Sequence, residues 1–216
     1  MSADSPDTTQ AAEVHASRNA AWAKVAIPLP ARQLSAFLSN VERLFRLNPH
    51  LEIETWYEEP GQQDTPVYRL SAANQTNACR VDVSMRATPV GERASGLELI
   101  YDCGLKRSTE FRVEALGNGS LLTVTEDYYP VVDESDQRLG EVDRSLVPWL
   151  AAIRSHLTGL IRFGGLPGYR WWTEGIMLGM PPRQRRIVRM IVWVSVLEFV
   201  VFLLVALIFW AESLPS

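Results

Sequence analysis

Apolar and polar positions along the chain change period in a definite order. Residues 20–29 form a strand-like run, after which Pro30, Ala31 and Arg32 open a segment where Leu34, Phe37, Leu38, Val41, Leu44 and Phe45 recur at spacings of three and four. That spacing predicts one amphipathic helix ending before Asn48 and Pro49. Six strand candidates follow, at 51–58, 67–73, 79–87, 97–102, 109–116 and 121–129. Turn chemistry such as Glu59-Pro60-Gly61, Pro89-Val90-Gly91 and Gly117-Asn118-Gly119 stands between strands. Such short spacing suits antiparallel hairpins.

Two of these strands alternate clearly. In one, Cys79, Val81, Val83 and Met85 share a face opposite Arg80, Asp82, Ser84 and Arg86; in another, Thr109, Phe111, Val113 and Ala115 oppose Glu110, Arg112 and Glu114. A sheet of this kind has one packed side and one wet side, and the packed side needs a cover. The cover is the segment 141–163, where Val142, Leu146, Trp149, Ile153, His156, Leu157 and Leu160 form an apolar stripe at helical spacing. Pro148 inside it predicts a kink or a short preceding turn of helix.

Strand, helix, antiparallel strands and a long C-terminal helix are the element order of the α+β helix-grip fold. Over roughly residues 20–163, with the junction Ile27-Pro28-Leu29-Pro30-Ala31 between first strand and first helix, the chain resembles the START/polyketide-cyclase (SRPBCC) superfamily. That resemblance implies a curved sheet and long helix enclosing a hydrophobic cavity, and hence the binding of lipids, sterols, polyketides or similar molecules. The superfamily also holds enzymes and assembly factors, so fold alone does not assign an activity. Candidate ligand-binding residues are Trp149, Ile153 and His156 on the long helix, with Phe111, Val83, Tyr101 and Glu126 on the strands. Trp149 and His156, seven residues apart on one stripe, are expected to face the concave side of the sheet, where they line a cavity or fill the core; for a lone histidine on an apolar face the core is the commoner place. Glu126 is in step with Leu122 and Val124, which either points it inward to a ligand or His156 or marks the strand end reaching solvent. His156 and Glu126 are also the residues on which a cyclase-like or hydrolase-like activity would depend.

Beyond the long helix comes Phe163-Gly164-Gly165-Leu166-Pro167-Gly168-Tyr169-Arg170-Trp171-Trp172, glycines and proline that end the helix and then three aromatics with an arginine. Tyr169, Arg170, Trp171 and Trp172 suit a membrane headgroup layer, so the segment 164–182 is expected to lie along the bilayer surface, the alternative being that its aromatics pack back onto the domain. The basic run Arg183, Arg185, Arg186 and Arg189 then leads into an apolar stretch at 190–211. Twenty-two helical residues rise roughly 33 Å, enough to cross a hydrocarbon core about 30 Å thick. Arginines ahead of the span predict a single-pass protein of the inner membrane with its large domain in the cytoplasm. Glu198, deep in this span, is a candidate contact to another membrane helix, because a carboxylate at that depth costs about 2.5 to 3.5 kcal/mol on insertion scales.

Composition narrows the picture. Setting aside the four tail arginines, Glu198 and Glu212 leaves 17 basic and 23 acidic residues, a formal charge near −6 for residues 1–182. A nucleic-acid binder would need a basic face. Residues 1–18 read as a disordered leader poor in large apolar groups and without a signal-peptide run, leaving 19–163 as one domain of ordinary size. The two cysteines, Cys79 and Cys103, are expected to stay thiols in a reducing compartment. No metal-ligand spacing, phosphate loop, nucleophile elbow or dinucleotide fingerprint is present, and no cofactor is expected. Two functional classes follow: a membrane-tethered binding module for a hydrophobic small molecule, and an accessory subunit that docks on a membrane protein through the span. An open cavity would favour the first, and a core filled by Trp149 and Phe111 the second.

Overall fold

The described residues form eight antiparallel strands of one curved sheet: β1 (His15–Ser17), β2 (Ala20–Ile27), β3 (Leu51–Glu59), β4 (Val67–Asn74), β5 (Arg80–Pro89), β6 (Ser95–Tyr101), β7 (Lys106–Leu116) and β8 (Gly119–Tyr128). Seven are the expected segments, while β1 falls inside the expected leader, where it pairs with β2. They run in the order β1-β2-β8-β7-β6-β5-β4-β3. The chain is seen as a computed structural model that describes residues 15–17, 20–60, 66–76, 80–89, 95–129 and 145–212. Most of the expected leader, together with Cys79 and Val142, lies outside these residues. From β3 to β8 the sheet is a meander, and β2 closes it by pairing with β8 from Ala20 against Asp127 to Ile27 against Ser120. Gly119 opens β8 where only glycine fits, since a Cβ there would stand 2.5 Å from the Ile27 carbonyl oxygen.

Alternation holds where the sequence is most regular. Thr109, Phe111 and Val113 are buried, Arg112 and Glu114 are exposed, and Met85 is buried between the exposed Arg86 and half-buried Ser84. Near the start of β7 the register shifts between Lys106 and Ser108, so Ser108 and Thr109 are buried in succession. A bulge of this kind re-aims the side chains on either side of it.

The expected single helix before β3 is two. α1 (Ala31–Leu38) and α2 (Val41–Leu47) are separated at Ser39 and Asn40, and the Asn40 side chain accepts a hydrogen bond from the Arg43 backbone N–H at 2.9 Å, starting a new helix. The apolar stripe nevertheless continues across the break, with Leu34, Phe37, Leu38, Val41, Leu44 and Phe45 all buried. α3 (Leu146–Phe163) is the long helix of the grip. Pro148 falls in its first turn, where a backbone N–H has no intrahelical partner to lose.

Aromatic rings fill the centre of the concave face. Tyr68, Trp56, Phe45, Trp149 and Phe111 form a chain with centroid separations of 5.4, 5.7, 5.3 and 5.4 Å, the last an edge-to-face pair. The buried Trp149 Nε1–H donates to the Leu44 carbonyl at 2.7 Å, which satisfies its polar atom and ties α3 to α2. After α3 a π-helical segment (Trp171–Met177) leads to α4 (Pro182–Glu212). Over Pro182–Trp210 α4 is long and apolar enough to cross a membrane, and its apolar window has none of its surface buried against the protein.

Phe111→Ala removes a fully buried ring from the end of this chain, where it packs edge-on against Trp149, and should cost on the order of 3 to 5 kcal/mol. Denaturant unfolding of the detergent-solubilised protein would show this as a lower midpoint at unchanged slope.

Candidate functional site

Between α3 and the β4–β5 half of the sheet lies a cleft of about 200 Å³. Phe45, Leu70, Val81, Val83, Tyr101 and Trp149 supply its apolar walls, and Arg80, Asp82, Cys103 and Gly104, all exposed, stand at its edge. Asn48, at the end of α2, donates through Nδ2 to Ser145 Oγ at 2.7 Å and accepts from the His50 backbone N–H at 3.0 Å. It therefore presents a satisfied amide to the cleft and joins α2 to the start of α3.

One end of the cleft is polar. Lys106 lines it, and the Lys106 ammonium pairs with Glu126 Oε1, whose side chain is 0% exposed. The Tyr128 hydroxyl donates to the other oxygen of Glu126 at 2.7 Å. Next to them Tyr101 Oη and Thr109 Oγ1 share a hydrogen bond at 3.1 Å, and the ammonium stands 6.0 Å from the Tyr101 ring centre. A carboxylate buried this deeply without a cation would be strongly destabilising, so Lys106 and Glu126 act as a unit.

Of the seven candidate residues, Trp149, Val83 and Tyr101 line the cleft. Phe111 backs Trp149, Ile153 is fully buried in the core, and Glu126 reaches the cleft only through Lys106. His156 is elsewhere. Seven residues past Trp149 it has moved about 10 Å along the helix, beyond the cleft, against the Phe37 ring at 5.9 Å between centroids. Its Nε2 stands 3.9 Å from Glu174 Oε1 in the π-helical segment, too far for a hydrogen bond, and is buried without a partner. Arg43 bridges the same region, with Nη1 3.3 Å from Glu174 Oε1 and Nη2 donating to the Phe37 carbonyl at 3.0 Å. Its guanidinium lies 4.0 Å above the Phe37 ring.

Sequence reading missed Lys106, Asn48, Ser145, Arg43 and Glu174. Back-extrapolating the β7 alternation from Thr109 puts Lys106 on the wet side, and only the bulge turns it inward. Arg43 and Glu174 are 131 positions apart, with no local signal linking them.

The segment expected along the bilayer surface is partly folded onto the domain. Met177 and Leu178 are buried, Tyr169 and Trp172 are half-buried, and Trp171 is 68% exposed. Arg170, Arg183, Arg186 and Arg189 keep exposed side chains. Arg185, expected at the interface with them, is instead buried. Its Nε donates to the Met180 carbonyl at 2.7 Å, Nη2 to Leu178 at 3.1 Å, and Nη1 to the Arg46 carbonyl, locking the start of α4 to α2. Glu198 is exposed on α4. Among the described residues no group of three His, Cys, Asp or Glu side chains could hold a metal ion, and Cys103 is a free, exposed thiol.

No family model matches the chain, and no curated protein matches it in sequence. Solved structures do resemble it. The Zhui aromatase/cyclase of a Streptomyces species is 18% identical with a TM-score of 0.53, covering 68% of this chain and 97% of its own. The KanY protein is 17% identical with a TM-score of 0.51, over 67% of this chain and 100% of its own. A START superfamily protein from Mycobacterium smegmatis is 16% identical with a TM-score of 0.50, over 66% of this chain and 99% of its own. At these identities the likeness is one of fold: the curved antiparallel sheet with the long helix α3 has the helix-grip architecture of START and polyketide-cyclase-like proteins.

Burial lowers the His156 pKa from 6.5 to about 4; Glu174 opposes that shift, while Arg43, Arg185 and Arg189 add to it. The unfolded chain therefore takes up a proton that the folded chain refuses between these values. The contribution is fully present above pH 6.5 and is lost as pH falls toward 4. In His156→Asn the loss of stability between pH 7 and pH 4 should shrink by roughly 3 kcal/mol, read from denaturant midpoints across that range. An identical acid-side loss in both proteins would contradict this reading of His156.

Proposed function

We propose that the protein is a membrane-tethered binding module for a hydrophobic small molecule, held in the cleft between Trp149 and strands β4 and β5. The observation that carries this reading is the cleft itself: apolar walls from Leu70, Val81, Val83, Tyr101 and Trp149, with the Lys106 ammonium at one end. A cavity of about 150 Å³ lined by apolar side chains takes up benzene, and drug-sized ligands occupy 300 Å³ or more. A volume of about 200 Å³ thus suits a body of one ring or a short branched chain bearing an acceptor for Lys106. A whole diacyl lipid is too large unless Trp149 moves. α4 supplies the tether, and arginines ahead of its apolar part orient the domain toward the cytoplasm.

Small molecules released on denaturing the full-length protein, purified from its membrane in mild detergent, should include one stoichiometric apolar compound. Val83→Trp, which places a large ring in the cleft, should abolish its retention with little loss of membrane association. Retention unchanged by Val83→Trp would rule out the cleft.

A second reading is supported by the filled ring core of Trp149 and Phe111 and by Glu198, exposed about 12 Å along α4 from the start of its apolar run. Here the protein is an accessory subunit whose Glu198 hydrogen-bonds or ion-pairs with a partner membrane helix. Glu198→Leu should leave insertion intact and strip a stoichiometric membrane protein from the purified material. If co-purification is unaffected, the carboxylate has no such partner. A cyclase or hydrolase role would require turnover dependent on Glu126 or His156.

A further inference from the structure

A second cavity, of about 340 Å³, opens between the end of α2, α3, the π-helical segment and the first turns of α4. Its walls carry Tyr169, Trp172, His156, Arg185, Arg186 and Arg189, and among the described residues lining it none is acidic. Arg185 and Arg189 are four residues apart and so share one face of α4, with Pro182 of the helix start below them. The helix N-terminus adds its own positive end to that face.

These groups have different duties. Three of the five Arg185 N–H donors are spent on the Met180, Leu178 and Arg46 carbonyls, so this guanidinium contributes a fixed positive charge. Arg186 reaches the Pro49 carbonyl only at 3.4 Å, and both Arg186 and Arg189 have exposed side chains. His156 stands in the wall with its side chain 6% exposed and a buried Nε2 that has no hydrogen-bond partner. The nearest carboxylate, Glu174, is paired with Arg43 and lies outside the cavity.

Position identifies what this cavity faces. Arg189 directly precedes the apolar run, and Arg185 lies four residues, about 6 Å, further out along the helix axis. Headgroup layers occupy about 5 to 7 Å on each side of a hydrocarbon core. The cavity therefore sits at phosphate depth once α4 crosses a bilayer, with the half-buried rings of Tyr169 and Trp172 at the level such rings prefer. Its volume equals that of about eleven water molecules, close to the ten or so non-hydrogen atoms of a phosphoglycerol group.

Resting on the membrane-tether half of the function proposed above and independent of the cleft ligand, we infer that this cavity is a binding site for the headgroup of an anionic phospholipid. Arg186 and Arg189 hold the phosphate, Arg185 supplies the field, and Tyr169 and Trp172 flank the glycerol. The site fixes the domain against the bilayer at one orientation.

Native mass spectrometry of the full-length protein in detergent, titrated with phosphatidylglycerol or with phosphatidylcholine of the same chains, tests this. One phosphatidylglycerol should bind in clear preference to phosphatidylcholine, and the double variant Arg186→Ala/Arg189→Ala should lose about twentyfold in affinity. Val83→Trp should leave the titration unchanged. Equal binding of the two lipids, no loss in the double variant, or displacement by millimolar inorganic phosphate would each overturn the site, the last by revealing a pocket for free phosphate. Alkaline carbonate extraction of the membranes reports on the tether separately. Protein that stays in the pellet while phosphatidylglycerol shows no preference keeps the tether and loses the headgroup site.

Discussion

Trp149 is the residue on which the architecture turns. Its ring is clamped between Phe45 of α2 and Phe111 of β7, and its indole N–H reaches the Leu44 carbonyl. One side chain thus joins the long helix, the short helix and the middle of the sheet, the three layers a helix-grip domain must bring together. Burial of rings this large, each pair adding about 0.5 to 1.5 kcal/mol beyond its area, makes the centre of the concave face a solid wall. What open volume remains is pushed toward β4 and β5, and that displacement sets the size and place of the cleft.

Polar groups do the joining elsewhere, and each does so by being hard to leave alone. Glu126, wholly buried, requires Lys106, and this pair puts an ammonium at one end of the cleft. Arg43 and Glu174 link α2 to the π-helical segment, and Arg185 hydrogen-bonds three carbonyls across the junction with α4. Breaking any of these strands a desolvated group, at a cost of about 1 to 3 kcal/mol or more for a charged one. The segment between the domain and the apolar helix is consequently bound to the domain at several points. A domain so held would transmit the orientation of α4 to the cleft.

The cleft and the cavity beside α4 differ in character. The first joins apolar walls to the Lys106 ammonium and a polar edge of Arg80 and Asp82, while the second is basic with aromatic flanks. They share α3 as a common wall, Trp149 facing the first and His156 the second. A binding module beside a bilayer would use both kinds of surface, one to hold its ligand and one to read the lipid.

Patterning along the chain was enough to determine seven of the eight described strands, the long helix and the apolar C-terminal helix, because hydrophobic periodicity is a local property that burial must respect whatever the topology. Inward placement of Phe111, Val113, Leu122 and Val124 follows from period two alone. Only the tertiary structure decided which of these residues meet. The bulge near Lys106 turned a residue of the wet face inward, and the Asn40 cap split one helical stripe into two helices without moving its buried side chains. Distance along α3 carried His156 past the cleft that Trp149 lines, and the carbonyls of Leu178, Met180 and Arg46 hold Arg185 in the junction. Lys106 with Glu126 and Arg185 with Arg46 join residues 20 and 139 positions apart, where the sequence has no period to reveal them and packing and desolvation choose the partner.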